Sequence, residues 1–222
     1  MSKKKHRKSG AQNKQRGPSQ KQQAPAPRKN IGGLVVIAAI VVILIVIIVG
    51  SRSGGVPEAS PEEARYIGRL LPAGYQPPTV ADPTDYTSTI EMAELTVTPG
   101  DTQLTVPVAE LTAARIALFK YQKPDGAQLP LIAYVKPSGA LFVGVSYCPP
   151  CQGEWQTIQA DGTLTCNACG TKRDLESMVG ISGACKLYPL DEIPVTIAGD
   201  DVVIERAGLD TWTPQPLDRK VG

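Results

Sequence analysis

The chain has 222 residues and a net charge of +2, and this small total conceals two oppositely charged parts. Residues 1–30 carry ten Lys and Arg side chains and no acidic one, whereas the rest carries 13 basic against 21 acidic side chains, a net charge of −8. The only histidine, His6, falls in the basic part. This composition argues against a histidine-dependent hydrolase, a Rieske centre or a histidine-ligated haem in residues 51–222.

Residues 1–30 are predicted to form a disordered cytoplasmic tail. Lys, Gln, Ser and Pro dominate this segment, and apolar side chains are almost absent from it. No aromatic side chain is interleaved with the charges, which argues against specific nucleic-acid binding. We expect the charges to act as a topology signal that also contacts the acidic inner leaflet of a bilayer.

Residues 31–50 contain no charged side chain and consist almost entirely of Ile, Val, Leu, Ala and Gly. A helix of about 20 such residues would span the ~30 Å hydrocarbon core of a bilayer. The basic residues before it predict a cytoplasmic N-terminus and an extracytoplasmic C-terminal domain in the cell membrane. A cleaved signal peptide is the alternative, but the long charged leader and the lack of an A-x-A site in residues 50–55 favour a single-pass anchor.

Residues 51–86 are predicted to form a stalk that contains one short helix. Ser60 is a suitable N-cap, Pro61 suits the first helical position, and Glu63 completes a capping box. We expect this helix to end near Leu71, and a Pro-rich connector to follow it.

Residues 87–210 are predicted to form a compact, antiparallel, β-rich domain, and residues 211–222 to form a tail. Short runs of Val, Ile, Leu and aromatic residues alternate with turn residues through the domain. We expect three hairpins, each turning at Pro, Gly or Asp. Their strand pairs are 95–97 with 104–106, 116–119 with 131–135, and 195–197 with 202–204. A further strand at 141–143 precedes the cysteines.

The cysteines form the strongest chemical signal in the chain. All five lie within 38 residues, as two C-x2-C pairs and a later single residue: Cys148, Cys151, Cys166, Cys169 and Cys185. Two such pairs are typical of a four-thiolate metal site, because each C-x2-C turn directs both sulfurs at one ion. Gly170 can adopt the positive φ that such a turn needs, and we expect Gly153 to adopt the same conformation in the first turn. The sequence thus predicts zinc-ribbon-like knuckles joined by a hairpin of residues 155–158 and 163–165.

The spacing leaves the occupant of this site open. Four thiolates bind Zn²⁺, and they also hold iron–sulfur clusters. Disulfide bonds between the cysteines are a third interpretation, because the domain is expected on the oxidising side of a membrane. Five cysteines would, however, leave one thiol unpaired. The Cys148-Pro149-Pro150-Cys151 segment also resembles a thioredoxin-type motif, but that motif normally opens a helix. No C-x2-C-H sequence is present, so covalently attached c-type haem is excluded.

Two further sulfur-containing residues are candidates for this site. Cys185 lies between small residues, which favours a place in the site as a ligand or beside it; a buried core position is the alternative. Met178 would be a soft ligand for Cu(I) if the protein were a thiol-based metal chaperone.

The order of these features resembles the FtrD-like membrane iron–sulfur domain, which occurs in membrane proteins associated with iron uptake. The resemblance covers roughly residues 104–209. It rests on residues 104–108, 119–121 and 139, the two C-x2-C pairs, Gly183-x-Cys185 and 189–190. The chain departs from the family where it has Ser146 instead of an acidic residue, and Gly183-Ala184-Cys185 instead of Gly-Gly-Cys.

The resemblance implies an extracytoplasmic electron-transfer or iron-handling module beside a membrane-embedded permease or redox partner and a cupredoxin-like partner. It favours an iron–sulfur cluster as the cofactor over zinc. We therefore predict a mainly β, single-pass membrane protein with a metal centre formed by the cysteines. A structural zinc domain with a scaffolding or binding role and a metal chaperone are the alternatives. The sequence gives no basis for a catalytic substrate, so a non-catalytic redox or metal-binding role is expected.

Overall fold

The computed structural model of the chain describes residues 57–218. No helix among these residues is both long and apolar enough to cross a bilayer. The predicted tail at 1–30, the predicted membrane helix at 31–50 and the first residues of the stalk lie outside the described residues.

The described residues form a mainly β structure, as predicted. Its short helices are α1 (Pro61–Ala64), α2 (Val108–Ala114) and α3 (Arg206–Asp210). Its strands are β1 (Ile90–Glu91), β2 (Ala93–Glu94), β3 (Thr98–Pro99), β4 (Gln103–Pro107), β5 (Ile116–Gln122), β6 (Gln128–Val135), β7 (Leu141–Val145), β8 (Gln156–Ile158), β9 (Thr163–Cys166), β10 (Lys172–Asp174), β11 (Gly180–Ser182), β12 (Asp191–Glu192), β13 (Val195–Ala198) and β14 (Asp201–Glu205).

The strands are arranged in three sheets. The cysteine sheet has the order β1-β8-β9-β10-β11, the central sheet β12-β7-β6-β5-β2, and the outer sheet β13-β14-β4-β3. Neighbouring strands are antiparallel except for β2 and β5, which pair in parallel. The antiparallel character of the predicted domain is therefore confirmed, with this one exception.

The central sheet is buried on both faces. Ala117 and Phe119 of β5 pack in one apolar cluster with outer-sheet residues such as Val202. The intervening Leu118 packs on the opposite face, in a second cluster that includes Leu164 of the cysteine sheet. A strand buried on both faces is apolar at successive positions, which explains the continuous apolar runs in this part of the sequence.

The predicted hairpins are confirmed, with one shift. The strands β5 with β6 and β13 with β14 pair as expected, as do β8 with β9 between the cysteine pairs. In the first hairpin, the strand predicted at 95–97 lies at 98–99 instead, because Thr98 is the residue that pairs with Thr105 of β4.

The helix predicted after Ser60 begins where expected but ends early. The Ser60 hydroxyl accepts a hydrogen bond from the Glu63 backbone amide at 3.3 Å, so the predicted N-cap is confirmed. The prediction that the helix continues to Leu71 is wrong, because α1 ends at Ala64 and turns follow it. Gly68 within these turns has φ +66°, a conformation that cannot continue a right-handed helix.

Candidate metal centre

The two C-x2-C segments adopt the same backbone turn. In the first, the amide of Gln152 donates to the carbonyl of Cys148 at 2.7 Å, and the amide of Cys148 donates to the carbonyl of Gly153 at 3.0 Å. In the second, the amide of Gly170 donates to the carbonyl of Cys166 at 2.8 Å. The first turn joins β7 of the central sheet to β8, and the second joins β9 to β10. Neither cysteine pair opens a helix, as a thioredoxin-type motif would.

The residue after each C-x2-C pair has a left-handed conformation. Gly170 has φ +69°, which confirms the prediction made for it. The corresponding residue of the first turn is Gln152, with φ +56°, so the expectation that Gly153 takes this conformation is wrong. Gly153 instead leaves room for sulfur: a Cβ atom on it would lie 2.8 Å from Sγ of Cys166 and 3.3 Å from Sγ of Cys151.

The turns bring the four sulfurs of the two pairs together. The Sγ atoms of Cys148, Cys151, Cys166 and Cys169 all lie within 4.8 Å of one another, and those of Cys151 and Cys166 are 3.8 Å apart. Four sulfurs placed about 2.3 Å from one tetrahedral ion would be about 3.8 Å apart. All five cysteines are free thiols in the structure. The arrangement therefore fits a metal bound by four thiolates.

The spread of the sulfurs also bears on the number of metal atoms. A cluster of two or four irons distributes its cysteine ligands over several metal atoms, so those sulfurs lie farther apart than four sulfurs on one ion. The limit of 4.8 Å between all four sulfurs fits one ion better than such a cluster.

The thiols of the site differ in their affinity for protons. A hydrogen bond from Cys148 lowers the pKa of Cys166 to about 4 against the effect of burial, and the backbone amides of Cys169 and Ala168 also contribute. The interaction with Cys166 and burial together raise the pKa of Cys148. Burial raises the pKa of Cys151 to about 12. Metal binding therefore has to displace protons from part of the site, which makes the affinity for metal dependent on pH.

The backbone donors near the sulfurs are unequal between the two turns. Cys166 receives hydrogen bonds from the amides of Cys169 and Ala168. The residues at the equivalent place in the first turn include Pro150, which has no N–H group. The sulfur of Cys148 therefore has fewer backbone donors available than that of Cys166.

Cys185 lies beside the set of four. It is 3% exposed and belongs to the same buried cluster of cysteines, and burial raises the pKa of its thiol. Its backbone amide donates to Oγ1 of Thr171 at 3.1 Å, and this oxygen is also 3.3 Å from Sγ of Cys169. Its role as a ligand stays a prediction, since the close set of four sulfurs is formed without it.

Two polar residues of the site were not predicted from the sequence. Thr171 and Arg173 are both fully buried. The Nη2 atom of Arg173 lies 3.6 Å from Sγ of Cys148. Both residues belong to a polar stretch that would normally face solvent. The spacing of two between Thr171 and Arg173, at the start of β10, is the only sequence signal that they face the same side.

Met178 lies away from the cysteines. It packs in the apolar cluster between the central sheet and the cysteine sheet, beside residues such as Leu175. This position gives no support to a soft thioether ligand in the site.

The comparisons with known proteins agree with the resemblance noted in the sequence. The family model described as "Membrane iron-sulfur containing protein FtrD-like" matches residues 111–215, a range that contains all five cysteines. No curated protein matches the chain. The resemblance to the FtrD-like family is therefore confirmed over this range.

Proposed function

From the match to the FtrD-like family we propose that the chain is a membrane-anchored, extracytoplasmic redox protein with an iron centre. Its ligands would be Cys148, Cys151, Cys166 and Cys169. The observation that carries the proposal is the approach of these four sulfurs to within 4.8 Å, inside the range matched by a membrane iron–sulfur family. The anchor at 31–50 and the orientation across the membrane rest on the sequence alone.

The four cysteines would hold an iron ion, which when bound would supply one-electron redox chemistry to the domain. The chain's own residues shield the centre unevenly, because Cys148 and Cys166 are fully buried whereas Cys151 and Cys169 are partly exposed. Trp155 is 40% exposed and lines a shallow surface pocket beside Gly153. We propose this side of the domain as the place where a redox partner approaches.

The partner would be embedded in the same membrane. The family resemblance suggests a permease or redox protein, with a cupredoxin-like protein beside it. A membrane tether raises the local concentration of the domain near such a partner, so that even a weak contact would suffice for electron transfer.

A structural zinc site is the second candidate. It is favoured by the sulfur spacing, which fits one ion, and by the supply of four protein ligands, which leaves no open position. Zinc has no redox chemistry, so the domain would then act by binding or scaffolding.

The test is metal and acid-labile sulfide analysis of the full chain, purified in detergent without oxygen, together with its visible spectrum. Iron without sulfide would support a single iron ion, and iron with sulfide and a bleachable brown colour would support a cluster. Zinc without colour would replace the redox proposal by the structural one. A metal-free protein with two disulfides would contradict both.

A further inference from the structure

Arg173 is the largest fully buried side chain in the described part of the chain. Its guanidinium has no carboxylate within ion-pair distance among residues 57–218. Buried charges are normally paired with an opposite charge, because leaving one unpaired away from water is costly. The negative charge that balances this cation is therefore not a directly paired carboxylate among the described residues.

The guanidinium is held by backbone carbonyls on one side and approaches sulfur on another. Its Nη2 atom donates to the carbonyl of Tyr188 at 2.8 Å and lies 3.6 Å from Sγ of Cys148. Its Nε atom donates to the same carbonyl at 3.3 Å. The Nη1 atom is buried and has no hydrogen-bond partner in the part of the chain that the structure describes. Carbonyls satisfy donors but do not neutralise a positive charge.

The strand register of the cysteine sheet determines on which face of the sheet Arg173 lies. Arg173 of β10 lies opposite Leu164 of β9, two residues from Cys166, so its side chain shares the buried face of the sheet with Cys166. The neighbouring Lys172 points to the other face, where it pairs with Asp161 at 2.8 Å. The two adjacent cations of β10 thus have different roles, one at the surface and one next to the sulfurs.

We propose that Arg173 is the internal counter-cation of a metal–thiolate centre with a net negative charge. The inference rests on the proposed function, because it requires that a bound metal keeps the four cysteines ionised. Four thiolates around one divalent ion leave two negative charges, and Arg173 neutralises one of them from inside the protein. It also donates to Cys148, the sulfur for which Pro150 removes a backbone donor.

Glu63 is the competing anion. It is 3% exposed, and its charge interacts with those of Arg173 and Lys186. Its hydrogen bonds, however, come from the backbone amides of Gly180, at 2.5 Å, and Ser60. The experiment therefore has to separate the sulfurs from Glu63 as the group that balances Arg173.

The experiment uses the full chain in detergent, loaded with Co²⁺, whose sulfur-to-metal charge-transfer bands report on the thiolates. In Arg173→Met, the loss of a positive charge and an N–H donor raises the energy of the sulfur electrons. We expect these bands to move to lower energy, and the affinity for Co²⁺ in a chelator competition to fall about 10- to 100-fold. Lys172→Met is the matched control, because it removes an adjacent cation from the other face, and we expect it to leave both quantities unchanged.

Other results would contradict either the inference about Arg173 or the proposed function. Wild-type bands and affinity in Arg173→Met would overturn the inference and would leave Glu63 as the group that balances Arg173. A wild-type chain that shows no cobalt–thiolate bands would instead overturn the proposed function. If Arg173→Met does not fold, Arg173→Lys and Arg173→Gln replace it: tighter Co²⁺ binding by the Lys variant supports a charge role, and equal binding contradicts it.

Discussion

Gly153 illustrates how a single missing methyl group shapes the candidate metal centre. A Cβ atom at this position would lie 2.8 Å from both Sγ of Cys166 and Cβ of Ala168, which belong to the other cysteine turn. The absence of a side chain here is what allows the two turns to approach one another. Only Gly meets this requirement, although the φ of Gly153 is not itself in the left-handed region.

We predict that Gly153→Ala forces the two cysteine turns apart. The expected result is a loss of about 1–3 kcal/mol in the free energy of unfolding, as for other overpacked sites. Weaker metal binding should accompany this loss. Gly208→Ala is the control, since a Cβ at Gly208 meets nothing within 4 Å, and it should leave metal binding unchanged. Chemical unfolding and chelator competition on the two variants provide the measurement, and equal behaviour would contradict the prediction.

Cys166 is one of the two fully buried cysteines among the four that form the site. We predict that Cys166→Ser abolishes metal loading and destabilises the domain, because the free energy of binding a structural metal contributes directly to folding. Cys185→Ser is the matched comparison, because Cys185 lies outside the close set of four sulfurs. It should retain one metal per chain by elemental analysis. A fully loaded and fully stable Cys166→Ser protein would contradict the assignment of the site.

At the scale of the elements, the sequence predicted the structures formed by residues close together in the chain. It did not predict those that depend on pairing between distant strands. The hairpins around 116–135 and 195–204 were predictable, because apolar runs and turn residues adjoin one another in the chain. The spacing of the cysteine pairs was predictable for the same reason. The inward direction of Arg173 was not, since it depends on the register between β9 and β10. The parallel pairing of β2 with β5 likewise depends on a crossover that no short pattern reveals.

The helix α1 is fastened to the cysteine sheet through Glu63. Its carboxylate accepts a hydrogen bond from the amide of Gly180 at 2.5 Å, although the two residues are 117 positions apart. Burial raises the pKa of Glu63 above its usual 4.5, and the hydrogen bonds from Gly180 and Ser60 only partly oppose this effect. The folded protein therefore binds this proton more tightly than the unfolded chain does.

The raised pKa of Glu63 predicts a specific dependence of stability on pH. The contribution of this group to stability is fully present below the usual value of 4.5 and is lost as pH rises through the higher pKa of the folded state. Glu63→Gln should remove this component from a plot of unfolding free energy against pH. Glu62→Gln, in an exposed position on the same helix, should leave the plot unchanged. An unaltered profile in Glu63→Gln would count against the prediction.

At the scale of the whole molecule, the carboxylate of Asp191 connects distant parts of the described chain. It accepts hydrogen bonds from Arg69 at 2.6 and 2.7 Å, from Trp212 at 2.8 Å and from Gln215 at 2.8 Å. Asp191 itself belongs to β12 of the central sheet, and its side chain is 2% exposed. One buried carboxylate thus holds both the segment after α1 and the segment after α3 against the central sheet.

We predict that Asp191→Ala costs about 3–5 kcal/mol of stability, because it leaves the partly buried Arg69 without its anion. Asp85→Ala, at an exposed position, is the comparison and should change stability by less than about 0.5 kcal/mol. Unfolding by denaturant measures both. Limited proteolysis should also show earlier cleavage around 205–218 in Asp191→Ala, and resistance equal to that of the wild type would contradict the prediction.

The placement of the two cysteine turns has a consequence for how the protein acquires and releases its metal. The first turn joins the central sheet to the cysteine sheet, whereas the second lies within the cysteine sheet. A bound ion would therefore cross-link the central sheet to the cysteine sheet. When the ion leaves, the cysteine sheet would be the first cooperative unit to unfold. The central and outer sheets share a separate apolar cluster and would keep their protection against hydrogen exchange during this opening. Exchange of metal would then be a partial unfolding event that exposes the apolar cluster between the central sheet and the cysteine sheet and leaves the cluster between the central and outer sheets intact.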